Sequence, residues 1–277
     1  MKKGIDVSTF QGKIDWNKVK NGGTQFAMIR GGYGRYEIDE RFEENYKNAK
    51  KSGIPLGVYH YSYANTVEKA KEEAKFCLSY LKGKKFEYPV AFDIEDKSLY
   101  ALSRKQLTDI TYAFCNEVEK KGYYVCIYSY KAFLNDKLDM SRLSRFDVWV
   151  AQWNDKCTYN GNYGMWQYSD KGTISGISGR VDLDKAYRDY PRIIKESSLN
   201  GFKKSASKDY KKGDAVTLKN TPVYVSSTAK NPTARLSGKY YIYDGEKING
   251  RYRITNSKSN VGRKPMINYV TGWINKK

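Results

Sequence analysis

The chain predicts an α/β barrel followed by a small all-β unit, and three observations carry that prediction. Strand-like apolar runs alternate with helix-like stretches over about the first 190 residues. After that point the helical periodicity stops and short strand-like runs separated by turn residues take over. The charge balance changes at the same place: residues 1–192 carry 32 Lys/Arg against 25 Asp/Glu, whereas residues 193–277 carry 18 against 5.

The elements follow in order. Gly4-Ile5-Asp6-Val7-Ser8 is an apolar run holding one acid, directly after a short basic N-terminus. Phe26–Arg30, Gly57–Tyr61, Tyr124–Tyr128 and Val148–Gln152 read as strands, as does Val90-Ala91-Phe92-Asp93-Ile94-Glu95-Asp96. Between them, Glu40–Ser52, Val67–Leu81 and Ser103–Lys121 carry apolar residues at three- and four-residue spacing and are predicted helices. Ser103 with Gln106 has the form of a capping box, and Gly53 and Gly122 stand where helices stop. Gly179-Arg180-Val181-Asp182-Leu183-Asp184 places further acids in a strand-like run. The alternation argues a parallel sheet, most simply closed into a barrel, with chemistry at the carboxyl ends of its strands.

Side chains alternate across a strand, so Asp93 and Glu95 are expected to point the same way, roughly 6.6 Å apart at the backbone. Two carboxylates at such a distance suit cleavage of a glycosidic bond, in which one acid protonates the leaving oxygen and another supports the developing cation. A lone D-x-E would read as a strand end meeting solvent. Asp6 and Asp182, delivered by other strands to the same mouth, make an acidic cleft the more economical reading.

Several chemistries lack their residues. One histidine, His60, supports neither a multi-histidine metal site nor a His-based triad with spare partners, and it is expected as a packed, hydrogen-bonded residue inside the barrel. Cys77, Cys115, Cys126 and Cys157 have no C-x-x-C spacing and read as reduced thiols. Gly31-Gly32-Tyr33-Gly34 is not followed by the Lys-Ser or Lys-Thr of a phosphate loop. No metal and no cofactor are expected.

The motifs also resemble a family. Gly4-Ile5-Asp6-Val7-Ser8-Thr9-Phe10-Gln11-Gly12 with Ile14-Asp15-Trp16 is similar to the opening of family-25 glycoside hydrolases, the lysozymes of many phage endolysins and bacterial autolysins. Arg30-Gly31-Gly32-Tyr33-Gly34, then Asp39, Phe42, Asn45, Ala49 and Gly53, then Gly57-Val58-Tyr59-His60-Tyr61 and Asp93-Ile94-Glu95, follow in the family's order. Met165-Trp166-Gln167-Tyr168 with Val181-Asp182 resembles its closing segment. Two departures are Asp184, where an Asn or another polar residue is expected, and Tyr61-Ser62-Tyr63-Ala64, where the family often has Phe-Ala after the Tyr-His pair.

The resemblance implies a flattened, irregular, TIM-like barrel that hydrolyses the β-1,4 bond between N-acetylmuramic acid and N-acetylglucosamine in peptidoglycan. It implies Glu95 as general acid, Asp93 as the carboxylate beside it, and Asp6 and Asp182 as an outer pair. Tyr61, Tyr128 and Trp166 occupy strand positions that could stack on sugar rings. Other readings are a wall-binding protein that has lost turnover, a bacterial autolysin, and a glycosidase of other specificity such as chitin.

The expected divisions are a catalytic domain over 1–195, a linker over 196–209 centred on Gly201-Phe202-Lys203-Lys204-Ser205-Ala206-Ser207-Lys208, and a second domain over 210–277. In the last of these, Ala215–Leu218, Pro222–Val225, Tyr240–Asp244, Arg251–Thr255 and Thr271–Ile274 read as five strands resembling a bacterial SH3-type wall-binding domain. Its basic charge points to the anionic peptidoglycan and teichoic acids of a cell wall rather than to nucleic acid, which basic aromatic barrels also bind. Apolar runs are too short for membrane insertion, and Met1-Lys2-Lys3 leads straight into a strand with no secretory signal. The expectation is synthesis in a host cytoplasm and holin-dependent release to the wall.

Overall fold

The computed structural model describes residues 1–203 and 209–275. The chain divides into two compact units, Met1–Lys204 and Ser205–Lys277.

The first unit is built on β1 (Lys2–Val7), β2 (Phe26–Tyr33), the short β3 (Glu37–Ile38), β4 (Leu56–Tyr61), β5 (Val90–Asp93), β6 (Val125–Tyr130), β7 (Asp147–Ala151), β8 (Met165–Gly172) and β9 (Val181–Ala186). The order β1-β9-β8-β7-β6-β5-β4-β2, with β1 also pairing β2, closes eight strands into a barrel, and β3 hangs on β2. Seven barrel strands run parallel. The expected all-parallel sheet is corrected at one place: β9 runs antiparallel to both β8 and β1. No helix connects β8 to β9, so the chain returns directly alongside, as antiparallel strands can.

Helices α1 (Trp16–Asn21), α2 (Phe42–Ser52), α3 (Val67–Leu81), α4 (Arg104–Lys120), α5 (Lys131–Asp136) and α6 (Tyr190–Glu196) complete the unit. Local chemistry sets several of their ends. Ser103 and Gln106 form the capping box that starts α4, and Gly53 ends α2 at φ 77°, a left-handed conformation open to glycine at little cost. Their inward faces pack on the outer side of the sheet in one large apolar cluster that includes Phe92, Phe114, Leu107 and Val118. A second cluster, with Phe26, Met28, Tyr88, Cys126, Trp149 and Tyr190, fills the barrel interior.

His60 belongs to the outer layer, which corrects its expected place inside the barrel. It stacks on Phe114 of α4, and its Nδ1 lies 2.9 Å from Tyr80 Oη of α3. Alternation along β4 is the reason: Tyr59 and Tyr61 face the interior, so His60 between them faces the helices. Cys77, Cys115 and Cys126 are buried and Cys157 half-buried, all four as free thiols.

The linker expected from residue 196 does not start there. Leu199 and Phe202 pack against the interior cluster, and Asn200 is fully buried. Asn200 Oδ1 accepts from the Tyr124 amide at 2.7 Å, its Nδ2 donates to the Tyr88 carbonyl at 2.7 Å, and its own amide donates to the Gly122 carbonyl at 2.9 Å. It satisfies the backbone groups that lead into β5 and β6. Residues 204–208 of the expected linker lie outside the described residues.

The second unit is a meander of β10 (Ala215–Val223), β11 (Ala234–Ile248), β12 (Arg251–Thr255) and β13 (Gly272–Asn275). Paired backbone hydrogen bonds of 2.9 Å between Tyr224 and Trp273 join its two ends. Four strands are seen among the described residues where five were expected. The first two predicted strands are one continuous β10, bulged between Leu218 and Thr221, with Asn220 at φ 45°. Val216, Leu218, Val223, Ile242, Tyr252, Ile254 and Ile274 form its core.

The role of Asn200 predicts where the first unit can be cut. A chain ending at residue 195 should melt clearly below one ending at residue 203, and Asn200→Ala in the longer form should cost at least about 2 kcal/mol by stranding buried backbone groups. Equal melting temperatures for all three in calorimetry would contradict this reading.

Candidate active site

The carboxyl ends of the parallel strands bring the predicted acids to one cleft. Asp6 comes from β1, Asp93 ends β5, Glu95 follows two residues later, and Asp182 stands near the start of β9. Because β9 is reversed, its beginning lies at the same end as the finish of β1, and Asp182 pairs in register with Asp6. Asp93 lies in register between Tyr61 of β4 and Tyr128 of β6, and Tyr128 beside Trp149 of β7. A larger hollow of about 580 Å³ opens at the other end of the barrel, but it is lined by Lys2, Lys20, Arg188 and Asp189 and gathers no cluster of acids.

Asp93 and Glu95 share the cleft, yet not as successive inward residues of one strand. The strand ends at Asp93 because β4 turns away at Ser62, whose amide still donates to the Asp93 carbonyl at 2.9 Å. The segment beyond is held by its other neighbour: the Ile94 amide donates to the Tyr128 carbonyl at 3.1 Å, and Ser129 Oγ donates to the Ile94 carbonyl at 2.6 Å. Glu95 is therefore fixed in the cleft by its backbone, two residues past the ladder.

Of the three predicted aromatic contacts, Tyr61 and Tyr128 line the cleft and Trp166 does not. Trp166 is buried against the opposite face of β8, where Nε1 donates to the Gln152 carbonyl at 2.8 Å and Lys185 Nζ sits 4.5 Å from the ring centroid. The next residue faces inward. Gln167 Oε1 accepts from Tyr128 Oη and Trp153 Nε1, both at 3.0 Å, and its Nε2 donates to Asp6 Oδ2 at 2.8 Å.

Gln167, Trp149, Tyr59, Phe10 and Arg30 are cleft residues that sequence reasoning did not select. Strand parity was the available signal: taking Gln167 rather than Trp166 as inward on β8 needed only the register to the acids. Arg30 is anchored by its Nε to Asp39 Oδ2 at 2.7 Å, and the same oxygen accepts from the Thr9 amide at 3.0 Å. One buried carboxylate thus ties the exits of β1 and β2 together at the mouth.

The electrostatics are those of acids crowded away from water. Burial pushes Glu95 up to about 7, with the charges of Asp182 and Asp96 adding to it. Burial raises Asp93 well above the usual carboxylate range, with Glu95 adding and Arg30 opposing. Asp182 is pushed up to about 6 by burial and by Asp170, and Asp6 is raised by burial and by Asp184 and Asp182. Asp93 Oδ1 and Glu95 Oε2 are buried with no hydrogen-bond partner in the protein, so each is placed to carry a proton or meet a ligand. Among the described residues no cluster of three or more His, Cys, Asp or Glu could hold a metal ion, and no helix is long and apolar enough to cross a membrane.

A closed α/β barrel with protonatable and ionisable carboxyls crowded at the carboxyl ends of its strands is suited to cleaving a glycosidic bond. The chain belongs to the glycosyl hydrolases family 25, whose profile matches residues 5–177. It is similar to the autolytic lysozyme of Clostridium acetobutylicum, 32% identical over 184 residues, in a match that covers 66% of this chain and 55% of that one. Lysozyme M1 of Streptomyces globisporus is 32% identical over 206 residues, covering 69% of this chain and 70% of that one. Among solved structures, that of the CTP1L endolysin superposes with a TM-score of 0.60 at 29% identity, covering 70% of each chain. The chain thus spans about half the length of the clostridial relative.

The charge arrangement gives a direct expectation. In a pH titration followed by carboxyl carbon NMR, Glu95 should titrate near 7, and Asp182→Asn should move that midpoint to lower pH because it removes a negative neighbour. An unmoved midpoint would mean that the two acids are not electrically coupled.

Proposed function

We propose that the first unit is an N-acetylmuramidase, cleaving the β-1,4 bond between N-acetylmuramic acid and N-acetylglucosamine in peptidoglycan. The observation that carries the reading is Glu95: a half-buried, cleft-facing carboxyl with one unpartnered buried oxygen, pushed up to about 7 by burial, beside a second carboxyl on the same mouth. The named lysozymes and endolysin among its relatives support the same substrate.

In this mechanism Glu95 gives its proton to the glycosidic oxygen as the bond to the anomeric carbon breaks. Asp93, ionised at that moment, stabilises the positive charge developing on the sugar. Water adds to the anomeric carbon, and its proton restores the acid. The two acids are coupled: as Glu95 gives up its proton the pair comes to carry two negative charges, a cost offset by the cation developing on the sugar and by Arg30 beside Asp93. Asp6 and Asp182 form the outer wall, with Asp6 oriented by Gln167. Tyr61, half-buried at the mouth, offers a ring face to the sugars, while Tyr128 is buried against Trp149 and backs Asp93.

The second unit we read as an SH3-like wall-binding domain, and the whole protein as a modular endolysin. Its support is the four-stranded meander joined end to end by the Tyr224–Trp273 bridge, and the 15 Lys/Arg against 4 Asp/Glu of residues 205–277, suited to an anionic wall. Tethering raises the local concentration of the catalytic unit at its substrate.

Glu95→Gln should lower hydrolysis of purified walls at least about 100-fold while leaving wall binding intact, since the amide is nearly isosteric but has no acid proton. Mass spectrometry of products from the parent enzyme should find new reducing ends on muramic acid; new reducing ends on glucosamine would sink the assignment. The separated second unit should coat walls without lysing them, with binding that weakens as salt is added. A tail that leaves walls bare in a sedimentation assay would refute the targeting role.

A further inference from the structure

Asp184 lies beneath the cleft and has no part in the mechanism above. It is fully buried on β9, two residues beyond Asp182 and opposite Gln167 of β8. Trp149 Nε1 donates to its Oδ1 at 2.8 Å. Its Oδ2 is buried with no donor, and the register of β9 against β1, with Asp182 opposite Asp6 and Asp184 two residues on, sets it on the same inward face beside the Asp6 carboxyl, which Asp182 also approaches. Asp6 already takes one donor, from Gln167 Nε2. Two carboxyls in contact without a donor between them repel when both are ionised, and bond when they hold one proton.

We propose that Asp184 is a proton-carrying positioning residue: it shares one hydrogen with Asp6 and thereby holds Asp6 in place in the cleft wall. An Asn at this position would make the same two bonds, accepting from Trp149 and donating to Asp6, with no titration. With Asp, the bond exists only while the pair keeps its proton. The charges that act on Asp184 are Asp6 from β1 and Asp182 from its own strand; Tyr59 and Tyr128 face Asp6, and Tyr168 on β8 feels Asp184. Burial, more than any neighbour, pushes Asp184 up to about 8.

The sign follows. A carboxyl raised in the folded state costs stability as pH climbs above its ordinary value, 3.8, and the cost is complete above about 8. The proposal rests on the hydrolase reading only for its catalytic consequence, so the decisive tests need no substrate. In the full-length protein, the melting temperature of Asp184→Asn minus that of the parent should rise by at least about 3 °C between pH 5 and pH 8. The difference infrared spectrum at pH 7 should show a protonated-carboxyl carbonyl band in the parent that Asp184→Asn lacks. Asp184→Leu, which cannot donate, should hydrolyse walls at least about ten-fold more slowly, and Asp184→Asn should recover most of that loss. A melting difference that does not change with pH, or no acid band lost, overturns the shared proton even if the enzyme proves to be a muramidase.

Discussion

The reversed strand β9 is the constraint on which the site depends. Seven parallel strands alone would leave an open sheet, and β9 closes it by pairing with β8 on one side and β1 on the other. Had it run parallel, Asp182 would lie near the floor of the barrel. Running antiparallel, it delivers Asp182 to the mouth and sets it beside Asp6. Closure and the clustering of negative charge are thus one event, and the barrel core bears the electrostatic cost of the acids.

That cost is managed by fixed dipoles more than by counter-ions. Arg30 is the single cation among the cleft-lining residues, and it is itself committed to Asp39. The indole of Trp149 and the amide of Gln167 do the remaining work, each donating to one buried carboxyl. Neutral donors bind a carboxylate without fully neutralising it, so the acids remain raised and retain protons toward neutral pH.

Much of this was legible in the sequence, for identifiable reasons. Helix α3 falls on its predicted span because its amphipathic spacing leaves little freedom, and α4 is fixed by the Ser103 cap. The acids at Asp6, Asp93 and Asp182 stood out because a carboxylate inside an apolar run is costly unless it is used. What local composition could not decide was which parity faces inward. Trp166 against Gln167, and His60 against its tyrosine neighbours, are choices of one residue in a period of two, decided by register across the sheet rather than by local composition. The reversal of β9 left one mark, a connection from Gly172 to Val181 too short for the crossover that a parallel strand needs. Asn200 was hidden among linker-like residues because its partners, Tyr88 and Tyr124, are distant in the chain.

The amide of Gln167 has two donors on its oxygen, Tyr128 and Trp153, which leaves its nitrogen no choice but to face Asp6. Turning the amide over would set its oxygen against an acid and its nitrogen against the indole N–H of Trp153, so it has one way to sit. The aim of Asp6 is therefore inherited from β6 and from the loop after β7 rather than from its own strand.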